Sequence, residues 1–145
     1  MKLATLATTV ALSLIPVLSN AQEMITDLDG REVMIHGTPD RVALGFYYED
    51  YLAVTGPEGA AKLVSLSRAP WADWRPGQWA AYTKVFPALE TLPDFGNADD
   101  NTFSVEALIA SKPDVAFLST WQTAAIGAPR VKQIEDAGKI GRAHV

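Results

Sequence analysis

The chain has 145 residues, a net charge of −5 and no cysteine. The negative charge argues against nucleic acid or an anionic membrane surface as a partner. Without cysteine there is no disulfide, no thiol nucleophile and no lipid-anchoring cysteine. The length that remains after an N-terminal leader is sufficient for one domain with a hydrophobic core.

Residues 1–21 have the pattern of a cleavable signal peptide. Lys2 gives a positive start, residues 3–18 are mostly apolar, and Ser19-Asn20-Ala21 offers the small residues that a signal peptidase reads. The apolar run is too short and too polar for a permanent membrane span. We expect cleavage after Ala21, and a periplasmic mature chain that begins at Gln22 and is not embedded in the membrane.

The mature chain alternates strand and helix patterns. Met24 to Ile35 is typical of a β-hairpin, because Asp29-Gly30 is a strong turn signal. Apolar residues at helical spacing begin at Tyr48, and Gly56-Pro57 predicts the end of that helix. Core strands are predicted at residues 41–46, 62–67 and 115–118, and further helices around residues 79–86, 104–112 and 129–137. This order predicts an α/β fold with a Rossmann-like, mainly parallel sheet flanked by helices.

The clearest element signals lie between Thr102 and Thr120. Ser104 is a good N-cap, and Phe103 and Leu108 have the spacing of a hydrophobic staple around it. Pro113 disfavours helical angles in the residue before it, so the helix should end there. Residues 115–118 are apolar without alternation, which indicates a strand covered on both faces.

The same stretch carries a family resemblance. Residues 104–114 read SVEALIASKPD, residues 25–33 read ITDLDGREV, and residues 39–42 read PDRV. These segments resemble periplasmic substrate-binding proteins of ABC importers for ferric siderophores, haem and cobalamin, the type whose two lobes are joined by a helical backbone. The resemblance covers nearly all of residues 25–138. It implies an N-terminal lobe that holds ligand against a second lobe and delivers it to permease subunits in the membrane.

Glu106 takes the position at which this family docks its first lobe onto the permease. On pattern alone it is also a carboxylate that the helix dipole favours in a first turn. Both interpretations expose the side chain to solvent.

The C-terminal residues break the pattern. The family would show an apolar strand where this chain has Ile140-Gly141-Arg142-Ala143-His144-Val145. A widely used sequencing adapter encodes the same hexapeptide in one reading frame, followed by a stop codon. We interpret residues 140–145 as a non-native tail, residues 22–139 as the N-terminal lobe, and the chain as a fragment that lacks its C-terminal lobe. His144 then carries no functional weight.

Candidate ligand contacts follow the predicted strands, because ligands of such sheets bind at the carboxyl ends of the strands. Aromatic faces together with guanidinium groups suit a bulky, flat, anionic ligand, so we expect an aromatic and positively charged edge. Arg68 is the preferred anion contact, because it leaves a buried strand directly into the cleft. For Trp71 and Trp74 packing against the sheet is an equal alternative, and for Tyr47 it is the favoured one. The candidate ligand contacts are Arg68, Trp71, Trp74, Arg75, Tyr47, Asn97 and Trp121.

The resemblance implies a binding protein for a ferric siderophore or similar chelate, monomeric, without a cofactor and without covalent chemistry. The first loop, Tyr47-Tyr48-Glu49-Asp50, and the long aromatic segment 71–94 depart from the family and weigh against cobalamin. A binder of free metal ions would need several histidines, and apart from the tail only His36 is present. The alternative from another class is a secreted α/β hydrolase. Ser67 would be its nucleophile, but no G-x-S-x-G motif or histidine base accompanies that serine.

Overall fold

The computed structural model describes residues 22–27, 30, 32–137 and 141–144. Within this part the chain forms a β-hairpin followed by a parallel sheet with helices on both faces. The strands are β1 (Gln22–Thr26), β2 (Glu32–His36), β3 (Val42–Leu44), β4 (Leu63–Leu66), β5 (Val115–Leu118) and β6 (Gly141–His144). The helices are α1 (Tyr48–Lys62), α2 (Ala69–Ala72), α3 (Pro76–Val85), α4 (Val105–Ala110), α5 (Thr120–Ile126) and α6 (Ala128–Asp136), with a 3₁₀ helix over Pro87–Thr91.

The sheet confirms the predicted α/β fold. Its strand order is β4-β3-β5-β6, and every described pairing within it is parallel. Strands β1 and β2 pair antiparallel, as the hairpin prediction requires. Since parallel neighbours need a crossover on one face, the helices between the strands cover the sheet.

The two faces of the sheet carry separate hydrophobic clusters. Ala43 and Ala116 point to a cluster shared with α4, α5 and α6. Val42, Leu44 and Val115 point to the opposite cluster, which α1 and α2 supply with Tyr48, Leu52 and Trp71. The alternation follows from the period of a strand, whose successive side chains point to opposite faces.

The α4–β5 segment forms as predicted. The Ser104 hydroxyl accepts a hydrogen bond from the Ala107 amide at 3.0 Å, and Phe103 and Leu108 are buried in the same cluster. The Arg41 guanidinium donates to the carbonyl oxygens of Ser111 and Lys112, at 2.7 Å each. This clamp fixes the C-terminal end of α4 beside the start of β3, with satisfied backbone acceptors at the helix end.

The first helix breaks at Gly56-Pro57, as predicted, and a second helical segment that was not predicted follows it directly within α1. Gly56 has φ 64° and ψ −159°, which breaks the helical path, and helical structure resumes from Pro57 to Lys62. Glycine tolerates this positive φ, and proline is favoured at the first position of a helix. The Tyr51 hydroxyl donates to the Gly59 carbonyl at 2.9 Å and ties the two parts together.

Helix α5 is an element that the sequence analysis missed. Ser119 and Gln122 form a capping box at its start, in which each side chain bonds to the backbone of the other residue. The Ser-x-x-Gln spacing was readable from the sequence. Trp121 therefore lies in the first turn of a helix and not in a loop.

Some predictions fall outside this description. The leader, Asp29 of the hairpin turn and Gly138 lie among residues that the structure does not describe. β6 pairs with β5 from Val115↔Gly141 to Leu118↔His144. Backbone pairing of this kind does not depend on side-chain identity, so the non-native origin of residues 140–145 stays a prediction. Within the described residues, no helix is long and apolar enough to cross a membrane.

We predict that Gly45→Ala destabilises the fold. A Cβ at Gly45 would lie 2.5 Å from Gln122 Oε1 and 3.0 Å from the Phe117 carbonyl oxygen. Overpacking of this kind typically costs about 1–3 kcal/mol, which urea denaturation followed by circular dichroism would measure. Gly77→Ala is the control, because no atom lies within 4 Å of its added Cβ. Equal unfolding midpoints for the two variants would contradict the prediction.

Candidate functional site

The carboxyl ends of β3, β4 and β5 are joined by buried hydrogen bonds. The Tyr48 hydroxyl donates to the Ser67 carbonyl oxygen and lies 3.2 Å from that of Gly45. Gln122 Nε2 donates to the same Gly45 carbonyl at 3.1 Å. Burial raises the pKa of the Tyr48 phenol, which keeps the hydroxyl protonated as a donor. The network fixes the spacing of the strand ends on which the candidate site is built.

Phe46 is the centre of an aromatic group at this edge. Its ring meets Tyr47 edge-on at 5.1 Å and Trp121 edge-on at 5.7 Å, measured between ring centroids. Arg75 Cζ lies 5.3 Å from the centroid of the same ring, within the range of a cation–π contact. We name Phe46, Tyr47, Trp121 and Arg75 the Phe46 cluster; all are partly exposed. The cluster joins the segments that follow β3, β4 and β5.

Tyr47 holds an uncommon backbone conformation at the centre of this edge. Its φ of 60° and ψ of 44° are left-handed, and it is the residue that precedes α1. A non-glycine residue in this region costs on the order of 1–3 kcal/mol and is typical of functional positions. The conformation turns the chain sharply from β3 into α1 with the Tyr47 ring against Phe46.

The two predicted arginines differ in what their guanidinium groups contact. Arg68 donates from Nη2 to the Leu92 carbonyl oxygen, and its Nε is buried without a hydrogen-bond partner in the described part of the chain. Arg75 has 40% of its side chain exposed, and Nη1 lies 4.0 Å from Oε1 of Glu49. Arg75, more than Arg68, therefore presents unused donors to solvent. The position of Arg68 after a buried strand favours it in the sequence, whereas the contact with Leu92, 24 residues away, exists only in the folded chain.

The two tryptophans that follow β4 lie in different environments. Trp71 is fully buried, stacks on Tyr48 at 4.3 Å, and meets Trp79 and Tyr82 edge-on at 5.1 Å each. Trp74 has 51% of its surface exposed. Trp71 thus packs in the core, which was the alternative to ligand contact, whereas Trp74 is free to contact a ligand.

Asn97 is also enclosed. It is fully buried. Its backbone carbonyl accepts from the backbone amides of Thr102 and Phe103, and its backbone amide donates to Thr102 Oγ1 at 2.9 Å. These bonds organise the loop before α4. An enclosed side chain offers no surface to a ligand, so Asn97 supports the loop and does not line the edge.

An apolar groove adjoins the Phe46 cluster. It has a volume of about 460 Å³ and lies between α1 and the ends of β3 and β5. It shares Phe46 and Tyr47 with the cluster and is also lined by Leu44, Asp50, Tyr51, Val54, Thr55 and Phe117. The groove extends the apolar surface that is available beside Arg75.

The edge carries both signs of charge, and not the positive charge alone that the sequence suggested. Glu49 and Asp50 lie in the first turn of α1, next to the cluster. Asp94 accepts hydrogen bonds from the backbone amides of Arg68 and Gly96, at 3.2 and 2.8 Å. The sequence places Phe46 and Glu49 at the end of the first strand but does not single them out as ligand contacts, because Phe46 closes the predicted core strand 41–46 and Glu49 opposes the expected positive charge. The departure of this first loop from the family pattern was the available signal.

Glu106 is exposed in the first turn of α4, where the Ser104 hydroxyl donates to its Oε2 at 3.3 Å. A helix that leads into a parallel strand runs antiparallel to it, so the first turn of α4 lies toward the carboxyl edge of the sheet. Glu106 is thus a surface carboxylate on the same side of the lobe as the Phe46 cluster.

Three solved structures with the same fold are named as periplasmic binding proteins. The TroA-like protein FepB of Veillonella parvula is 24% identical, with a TM-score of 0.75 over 84% of this chain and 36% of that chain. The molybdate-binding protein MolA of Haemophilus influenzae is 24% identical, with a TM-score of 0.59 over 85% and 34%. The catecholate-siderophore binding protein VctP of Vibrio cholerae is 13% identical, with a TM-score of 0.56 over 86% and 37%.

This chain therefore has the fold of one lobe of a TroA-like periplasmic binding protein. It spans about a third of the length of the structures that it matches. No family model and no curated protein matches the chain. At these sequence identities the matches establish the fold but not the ligand, which depends on the residues of the site.

We predict opposite outcomes for the two tryptophans. Trp71→Ala should lower the free energy of unfolding by about 3–5 kcal/mol, because it leaves a large cavity in the core. Trp74→Ala should change it by less than about 0.5 kcal/mol, as expected for an exposed side chain. Urea denaturation of both variants measures the difference. Similar losses would place Trp74 in the core as well.

Proposed function

We propose that the chain is the N-terminal lobe of the substrate-binding component of an ABC importer for an iron chelate of the ferric siderophore type. The observation that carries the proposal is the convergence of three strand ends on Phe46, with Arg75 over its ring. VctP, which has the same fold, is named as a catecholate-siderophore binding protein, so the fold is compatible with a ligand of this class. On this proposal the leader is cleaved after Ala21 and the mature protein works in the periplasm as a monomer.

The chemistry of the edge suits an anionic chelate with aromatic groups. The rings of Phe46, Tyr47 and Trp121 offer stacking and edge contacts, and the guanidinium of Arg75 offers charge-assisted hydrogen bonds. Trp74 and the apolar groove widen the contact area. In this proposal Arg68 shapes the edge through its bond to Leu92, and Trp71 and Asn97 support it from within.

A second lobe completes the site in this proposal. An exposed edge buries only one side of a bulky ligand, and high affinity requires most of the ligand surface to be enclosed. We expect the isolated lobe to bind weakly and the two-lobed protein to bind tightly. Glu106 would dock this lobe onto the permease, because it is an exposed carboxylate on a helix that the Arg41 clamp holds in place.

The hydrolase alternative has less support. Ser67 is fully buried, and its hydroxyl has no hydrogen-bond partner in the described part of the chain, so no base is placed to activate it. The matched structures are named as binding proteins.

We predict that the chain binds the ferric complex of a hexadentate tris-catecholate through Arg75. Arg75→Gln should weaken binding by about ten- to a hundredfold, the range expected for lost hydrogen bonds to a charged group. Tryptophan fluorescence, corrected with free N-acetyltryptophanamide for absorption by the complex, measures the affinity. Arg130→Gln is the control, because it removes an equal charge from exposed α6. Ester or phosphate hydrolysis without such binding would favour the enzyme.

We predict that Glu106→Ala in the protein from the complete gene leaves chelate affinity unchanged and reduces uptake into cells. The substitution removes the exposed carboxylate that accepts from the Ser104 hydroxyl, but that hydroxyl can still accept the capping bond from the Ala107 amide. Glu90→Ala, at another exposed glutamate, should leave both properties unchanged. Normal uptake by the Glu106 variant together with lost affinity would show that this residue belongs to the ligand site.

A further inference from the structure

Glu49 faces the guanidinium of Arg75, the group that binds the anionic ligand in the proposed function. Its Oε1 lies 4.0 Å from Arg75 Nη1, and the two side chains are 35% and 40% exposed. This separation exceeds the length of a direct hydrogen bond, which is about 2.7–3.2 Å. The contact is therefore a loose, solvent-accessible ion pair that another anion can replace.

Arg75 does not depend on Glu49 for its position. The guanidinium rests over the Phe46 ring, and the Arg75 backbone amide donates to the Trp71 carbonyl at 3.3 Å. Trp71 belongs to the buried core, so this anchor is rigid. Removing the Glu49 carboxylate should leave the Arg75 donors at the same place on the edge.

The other carboxylates near this edge are placed differently. Asp94 is held by the backbone amides of Arg68 and Gly96. Asp50 lines the apolar groove and is exposed. Among the described residues, Glu49 is the carboxylate that forms an ion pair with Arg75.

We propose that Glu49 competes with the anionic group of the ligand for Arg75 and thereby speeds ligand release. This inference rests on the proposed function, since it concerns the same site. The ligand displaces Glu49 from Arg75 on binding, and Glu49 returns to the guanidinium as the ligand departs. A transport protein must release its ligand as well as capture it, and affinity differences within one site arise mainly in the dissociation rate. Glu49 is thus a release residue that acts through Arg75.

The test compares charge-matched variants with two ferric complexes. One probe is the ferric complex of a hexadentate tris-catecholate, which is trianionic, and the other is that of a hexadentate tris-hydroxamate, which is neutral. Glu49→Gln should slow dissociation of the trianionic complex by about fivefold, near the upper limit for an exposed ion pair, and leave the neutral complex unchanged. Glu58→Gln, an equal charge change at an exposed position of α1, should alter neither rate. Stopped-flow displacement measures both rates.

A double-mutant cycle separates competition for Arg75 from general repulsion. In the Arg75→Gln background, Glu49→Gln should give no further change in dissociation rate. Equal unfolding midpoints for the variants show that the fold is intact.

The outcomes separate the two proposals. The chain could bind the trianionic complex and lose it at the same rate with and without Glu49→Gln. In that case the release role is wrong and the proposed function stands. If Glu49→Gln still slows dissociation in the Arg75→Gln background, Glu49 does not act through Arg75 and that part of the proposal is wrong. If no variant binds either ferric complex, the proposed function is wrong, and the release role with it.

Discussion

The buried carbonyl of Gly45 is the constraint on which the rest of this lobe depends. It accepts a hydrogen bond from Gln122 on α5, and the Tyr48 hydroxyl lies 3.2 Å away while donating to Ser67. These contacts lock together the ends of β3, β4 and β5, and they add to the last backbone bonds there, from the Gly45 amide to the Phe117 carbonyl and from the Ser67 amide to the Leu44 carbonyl. A buried polar network of this kind fixes geometry only when its members are satisfied. The absence of a side chain at Gly45 allows the close approach, because a Cβ would collide with Gln122.

This rigid edge explains how a binding surface can be built from short connections. Tyr47 adopts a strained backbone conformation two residues beyond Gly45, and the ring of Phe46 contacts Tyr47, Trp121 and Arg75. Strain persists where the surrounding packing determines the local conformation, and here the buried network supplies that packing. A pre-organised surface loses little conformational entropy when it binds, which suits the ligand-binding role proposed above.

The mixed charge of the edge fits a cycle of capture and release. A site with unopposed arginines would hold an anionic chelate more strongly, whereas the Glu49 carboxylate beside Arg75 moderates that attraction. Glu106 stands on the same side of the lobe, so a single surface would bring ligand and permease close together. Both features follow from the parallel topology, which gathers the segments after the strands at one edge.

The sequence by itself determined the fold class and most of the secondary structure, because these depend on local signals. Ser104, Pro113 and the apolar run in β5 gave α4 and β5 correctly, and the strand–helix alternation gave the parallel sheet. Only the tertiary structure decided which side chains reach the surface. Trp71 and Trp74 are indistinguishable in the sequence, yet packing on Tyr48 buries one and leaves the other exposed. Arg68 and Arg75 likewise differ only through long-range partners, the Leu92 carbonyl for one and the Phe46 ring for the other. The direction of a side chain at a strand end depends on contacts with residues that are distant in the chain. A local sequence pattern does not encode those contacts.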